Sequence, residues 1–336
     1  MALAKRMAVT LPVGPFLKDN IELVEWADAN GYADAWFADS GAPDSLTMIA
    51  AIAPHIPRLR VGCAVTPVYT RAPSVLAATA NVLGQVYGDR FIMGLGSSSE
   101  TIMTRFNGIA LEKPLTRVKE TAIIVRSMLK GERTNFQLTT LSSQGYRQPP
   151  LENPPPLYLA ALRPKMIEMA AEIGDGVIFN LWPNSALPKM MEHVKIGAER
   201  AGKDWRDVEV VNRKMILVTD DRQVGYARFR ATFAPYYANP VYNNFLAWAG
   251  YEDVAREVSE GWAARDRERT TGAFSDELID ELATIGTVEE VQDRVRQDAD
   301  RGIHTTIVAP LSMPGTFDAE EALVTFRAFT GDAFSF

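Results

Sequence analysis

Short apolar runs alternate along this chain with longer segments whose apolar residues recur every three or four positions. The short runs fit strands buried on both faces and the longer segments fit amphipathic helices. Their alternation is the rhythm of βα units around a parallel sheet. The first run covers residues 7–11. A helical segment follows with Leu17, Ile21, Val24 and Ala27 on one face, ended by Gly31 as a left-handed residue would end it. Further strands are predicted over 35–38, 59–66, 91–96, 157–161, 177–180, 208–218 and 305–309. Eight such runs predict an α/β fold of the (β/α)8 TIM-barrel type. Near the C-terminus, Thr287 and Glu290 form a capping box ahead of Val288, Val291, Val295 and Ala299, with Gly302 as the stop. Asp318 with Glu321 repeats the device before the last helix.

Two stretches break this rhythm. Residues 131–156 are polar and end in Pro149, Pro150 and Pro154 to Pro156. Residues 235–280 carry Tyr236, Tyr237, Tyr242, Phe245, Trp248 and Tyr251, then a charged run over 265–269. Both are expected to be insertions, after the fourth and seventh strands of one domain spanning 1–336, and too poor in apolar residues for cores of their own.

The chain has 336 residues, 47% hydrophobic and 23% charged, the balance of a globular protein. The single cysteine, Cys63, excludes an internal disulfide and reads as a small buried hydrophobe. His55, His193 and His304 lie far apart and follow no ligand spacing, so no metal site is expected. A net charge of −7 without a basic run argues against nucleic acid. No apolar stretch approaches the roughly 20 residues that cross a bilayer, and the N-terminal segment reads as a strand broken by Pro12. A cytoplasmic protein with no membrane partner is expected.

In such a barrel the chemistry gathers at the C-terminal ends of the strands. Asp39 and Ser40 follow the second strand, and Ala64, Val65 and Thr66 end the third. Ser97, Ser98, Ser99 and Glu100 follow the fourth, and Ala160, Ala161, Leu162 and Arg163 the fifth. Small residues in these turns let backbone amides approach a phosphate, or simply fit where turns are tight. The Gly94-Leu95-Gly96 run is not a GxGxxG fingerprint. Asp39 and Glu100 are the candidate catalytic carboxylates, each with an alternative reading as a helix-start residue. Tyr69 is a third candidate proton carrier.

Taken together, RVGCAVTPVYTRAP (60–73), RFIMGLG (90–96), Gly108 to Ala110 with Lys113 to Leu115, Leu159 to Ala161 with Pro164 to Met166, AEIGDGVIFN (171–180) and Gly286 to Glu290 follow one collinear order over nearly the whole chain. In that order they resemble the luciferase-like flavin and deazaflavin oxidoreductases, most closely the methylenetetrahydromethanopterin reductase branch. The resemblance implies coenzyme F420 as cofactor, with a hydride passing between the deazaflavin C5 and a small organic substrate. It implies a bulge in the third strand with a non-proline cis peptide, which by matching GPGVT-like segments falls at Ala64–Val65. Asp39, Ser40, Ala64, Val65 and Thr66 would line the ring, and Ser97 to Ser99 with Ala160 to Arg163 would hold the ribityl and phosphate portion. It also implies a homodimer joined near the second and third strands, where residues 46–56 supply an apolar face. Two positions depart from the pattern: Ser40 stands where several relatives carry histidine, and Ala72 replaces the histidine of a frequent Arg-His-Pro. The alternatives are an FMN-dependent monooxygenase served by a separate cofactor-reducing enzyme and, in another class, a non-catalytic cofactor-binding subunit.

Overall fold

The computed structural model describes residues 3–39, 41–313 and 319–336. Twelve strands are described in it: β1 (Arg6–Leu11), β2 (Asp34–Phe37), β3 (Arg60–Cys63), β4 (Thr66–Pro67), β5 (Phe91–Gly96), β6 (Asn135–Gln137), β7 (Ser142–Gln144), β8 (Leu157–Ala160), β9 (Gly176–Asn180), β10 (Glu209–Val218), β11 (Thr284–Gly286) and β12 (Thr305–Pro310). Parallel pairing runs β12-β1-β2-β3-β5-β8-β9, and β10 joins β9 to β12, so eight strands close a barrel. Helices lie between them, among them Leu17–Ala29, Ser45–Ile52, Pro73–Tyr87, Pro114–Leu129, Pro164–Ile173, Leu187–Arg200 and Val288–Asp300. Pro73, Pro114 and Pro164 open three of these, where a missing N–H costs nothing and the fixed φ suits the first turn. The Thr287–Glu290 capping box is present, and Gly31 and Gly302 take positive φ. Asp318 lies outside the described residues.

The third strand is not one piece. Gly62 pairs with Ile92 and Thr66 with Leu95, so four steps on one side oppose three on the other. The extra residue is a bulge, and the Ala64–Val65 peptide within it is cis. Glycine lets β5 lie against it. A Cβ on Gly94 would stand 1.7 Å from the Cys63 carbonyl oxygen, and one on Gly96 would stand 2.5 Å from Val65 Cγ2.

The barrel interior is filled by Ala8, Trp36, Ile92, Tyr158, Ile178, Val211 and Ile307, one from each of seven strands. At the eighth, Gly62 leaves room for the Trp36 ring, 2.5 Å from where a Cβ would sit. Below this layer a polar cluster closes the N-terminal end. Arg60 donates to Glu209 at 2.6 and 2.8 Å and to Asp34 at 3.0 Å, and Arg6 donates to Asp34 at 2.7 Å. The hydroxyls of Thr305 and Tyr158 each donate to Glu209 at 2.6 Å. With apolar packing in the middle and ion pairs at the floor, the C-terminal end is left as the open one.

The two insertions are more ordered than their composition suggests. Within 131–156, β6 and β7 form an antiparallel hairpin, Asn135 opposite Gln144. The later insertion folds as helices Arg222–Tyr237, Pro240–Trp248, Glu252–Ala264, Arg267–Gly272 and Asp276–Leu282. These helices share a core with the barrel, with Phe229, Tyr237, Leu246, Val258, Phe274 and Ile279 buried together. It closes on Leu181, Met215, Leu217 and Leu311 from the barrel, which supply the apolar surface that composition alone found lacking. No helix among the described residues is long and apolar enough to cross a membrane.

Candidate active site

At the mouth of the barrel the bulge presents Ala64 and Val65 to the interior, packed with Ala160 against the middle layer. Val65 stands against Gly96, and a Cβ there would also lie 3.2 Å from the Ala160 Cβ. The third, fourth and fifth strand ends thus form one continuous small-residue wall with a valine at its centre.

Asp39 is tied to this wall through hydroxyls. Ser45 Oγ donates to Asp39 at 3.0 Å and lies 3.5 Å from Thr66 Oγ1, and Arg71 donates to Asp39 at 3.2 Å. Arg71 also pairs with Asp44, whose other carboxylate oxygen caps the helix Ser45–Ile52 at the Thr47 amide. Asp39 is therefore an engaged carboxylate rather than the cap itself. Cys63 is fully buried; burial, with the nearby Asp39 carboxylate, outweighs the Thr66 and Ser45 hydroxyls and pushes its thiol up to about 12. It stays a neutral thiol, not a nucleophile.

The turn after β5 has Ser97 and Ser98 half-buried, with Ser98 in the left-handed region at φ 63°. Ser99 is buried, and its hydroxyl accepts from the Ile102 amide at 3.4 Å at the start of the π-helical segment Thr101–Phe106. Glu100 is exposed at the start of that segment. After β8, Ala161 is buried, Ala160 and Leu162 half-buried, and Arg163 exposed ahead of the helix Pro164–Ile173, its guanidinium without a partner among the described residues. Ser40 lies outside the described residues. Tyr69 donates its hydroxyl to the Glu112 carbonyl at 2.6 Å.

Sequence reasoning missed the opposite wall. Arg213 in β10 and Asn180 at the end of β9 are register partners. Asn180 Nδ2 donates to the Tyr242 hydroxyl at 3.2 Å, and Tyr242 lies 5.0 Å from Tyr236, centroid to centroid. These four residues bring the helical insertion to the barrel mouth. Arg213 shares its strand with Glu209, Asn212 and Lys214, so a charge inside the strand did not single it out.

No group of three or more His, Cys, Asp or Glu residues among those described is arranged to hold a metal ion. His55 pairs with Glu25, His193 with Glu168, and His304 accepts from the Val210 amide, at three separate places.

Known proteins share this architecture. A 5,10-methylenetetrahydromethanopterin reductase of Methanolobus tindarius is 26% identical over 302 residues, 89% of this chain and 91% of that protein. In fold, the chain is similar to the coenzyme F420-dependent tetrahydromethanopterin reductase of Methanopyrus kandleri (TM-score 0.77, 19% identity, 96% of this chain and 97% of that one). It is similar also to an F420-dependent secondary alcohol dehydrogenase in complex with an F420–acetone adduct (TM-score 0.76, 17% identity, 99% and 100% covered). Residues 3–305, from the first described residue to the last barrel strand, match the luciferase-like monooxygenase family, and the chain belongs to that family of enzymes.

Proposed function

We propose that this chain is a coenzyme F420-dependent oxidoreductase that moves a hydride between the deazaflavin and a small organic substrate. The observation that carries the reading is the bulge at Ala64–Val65, whose valine stands on a wall of Gly96 and Ala160 at the open end of the barrel. The extended similarity to proteins described as F420-dependent oxidoreductases supports the choice of cofactor. When bound, the deazaflavin supplies a ring carbon, C5, that accepts or gives up a hydride.

The residues present fit that group. Val65, Ala64 and Ala160 offer a flat apolar surface with no side chain large enough to block a ring. Ser97, Ser98 and the unpartnered Arg163 stand beside it, where the phosphate-bearing tail would run. Asp39, fixed by Ser45 and Arg71, orients the hydroxyls next to the bulge, and Glu100 faces solvent, from which a proton can be exchanged.

Fluorescence titration of the purified protein with F420 and with FMN tests the reading. The expected result is micromolar or tighter binding of F420 and weaker binding of FMN. Equal or reversed affinities move the assignment to an FMN-dependent monooxygenase that needs a separate flavin-reducing partner, the reading favoured by the family's description.

A further inference from the structure

We propose that Arg213 is the anion-recognition residue of the substrate site, and that the substrate is an organic anion, a carboxylate or similar oxyanion carried beside a ring. The proposal deepens the functional reading above and rests on the cofactor lying against the Val65 wall. Around the closed barrel, β10 is four strands from β3 in either direction, so Arg213 stands diametrically across the mouth from the bulge. Arg213 is two residues beyond Val211 of the interior layer, and its Nε donates to Thr10 Oγ1, two residues beyond Ala8 of the same layer. The guanidinium thus lies just above the interior plug, on the side of the mouth that the cofactor wall leaves open.

Its partners do not account for its charge. The Thr10 bond is long, at 3.3 Å, and its other hydrogen bond among the described residues is to the Met215 sulfur at 3.8 Å. No carboxylate among the described residues pairs with it. Two other buried cations are paired: Arg60, at the barrel floor, with Asp34 and Glu209, and Lys214, on the outer face of β10, with Asp298 at 3.3 Å. Enclosing a cation without an anion is costly, and here burial already lowers the guanidinium's pKa. The adjacent phenols do not neutralise it, because burial raises the pKa of both Tyr236 and Tyr242 and keeps them protonated. A second unmet group is adjacent in register, Asn180 Oδ1, buried with no hydrogen-bond partner. A planar fork of donors, an unmet amide oxygen and two tyrosine rings match an aryl oxyanion, charge toward Arg213 and ring toward Tyr236 and Tyr242.

Benzoate and benzyl alcohol, alike in shape and different in charge, are the probes. Calorimetric titration of the full chain, both alone and loaded with F420, should show benzoate binding at least about tenfold more tightly, the ratio expected for one charge-assisted contact. Arg213→Gln should abolish the preference, with F420 affinity unchanged and a melting temperature that does not fall, since no ion pair is lost and the cost of an unpaired cation is removed. Arg213→Lys should keep part of it, and Arg213→Met repeats the Gln arm should that variant fold poorly. Equal binding of the two probes by the wild type, or a preference that survives in Arg213→Gln, overturns the proposal. So does a matching loss of F420 affinity in Arg213→Gln, which would assign the charge to the cofactor. Failure of the deazaflavin reading would appear separately, as absent F420 binding, and the titrations without cofactor would still decide the role of Arg213.

Discussion

Adding one methyl group at Gly96 tests whether the valine wall is what the site depends on. An alanine Cβ there falls 2.5 Å from Val65 Cγ2 and 3.2 Å from the Ala160 Cβ. Carbon atoms settle at about 3.5–4.0 Å, so Val65 must retreat by about 1 Å toward the space the cofactor ring would use. Overpacking of this kind costs about 1–3 kcal/mol. With an unfolding entropy of about 2.1 cal/mol/K per residue, that lowers the melting temperature of a chain this long by only about 1–4 °C. A misplacement of about 1 Å at reacting atoms can cost on the order of a hundredfold in rate. Gly96→Ala should therefore fold, bind F420 more weakly and lose activity out of proportion to its stability. The assay is a double-mutant cycle with Val65→Ala, read by thermal unfolding and cofactor fluorescence, in which removing the valine methyls should make the double variant less damaged than the two singles added together. Gly272→Ala, where a Cβ would meet nothing within 4 Å, is the control and should leave both readouts intact. Strict additivity of Gly96→Ala and Val65→Ala, or wild-type cofactor affinity in Gly96→Ala, refutes the reasoning.

Val65→Lys should weaken ring binding more than it weakens folding, because the half-buried side chain can reach the mouth; equal losses in affinity and melting temperature would count against the wall. Burial opposes ionisation of Glu209, but the Arg60 bonds and charge and the Thr305 and Tyr158 hydroxyls prevail and hold its pKa near 2 rather than the usual 4.5. That depression is worth about 3 kcal/mol at neutral pH. The contribution is complete above the unfolded value of 4.5 and is lost as pH falls toward about 2, so the melting temperature should drop by about 4 °C from this group over that window. Glu209→Gln should flatten that part of the profile, and an unchanged slope would contradict the assignment. The apolar side chains of 46–56, Leu46, Ile49, Ile52 and Ile56, are buried against this chain's own barrel, whereas Val75, Val82 and Val86 on the next helix are 50%, 57% and 51% exposed. A dimer joined there should appear in light scattering and dissociate in Val82→Asp, and a monomeric wild type would remove the idea.

The fold was legible because each barrel strand is an apolar run bounded by turn residues, and because Thr287, Gly31 and Gly302 mark helix ends by local chemistry. What escaped notice was short or borrowed its order from elsewhere. β11 is three residues long, below any period, and exists because Ile216 to Val218 pair with it. The helical insertion looked too polar because much of the surface that closes its core, including Leu181 and Met215, belongs to the barrel. At the site, small turn residues and Asp39 were visible as strand-end positions, whereas the bond from the Ile102 amide to the Ser99 hydroxyl depends on a turn geometry that residue types do not fix. The placement of the bulge came from the family resemblance, since nothing in the spacing of Gly62 to Thr66 distinguishes four residues from three. Arg213 was hidden because the role proposed for it rests on a missing partner, which a sequence cannot display.

The long strand β10 has a consequence for how such an enzyme can diversify. Its first half is barrel wall, bonded to β9 and β12, and its far end carries β11 and leads into the helices from Arg222 onward. The residues proposed to choose a substrate (Arg213, Tyr236 and Tyr242) hang from this one side, across the barrel from the Val65 bulge. On the proposed reading, changes in the helices between Arg222 and Leu282 would retune which molecule enters while leaving the wall proposed to hold the cofactor as it is.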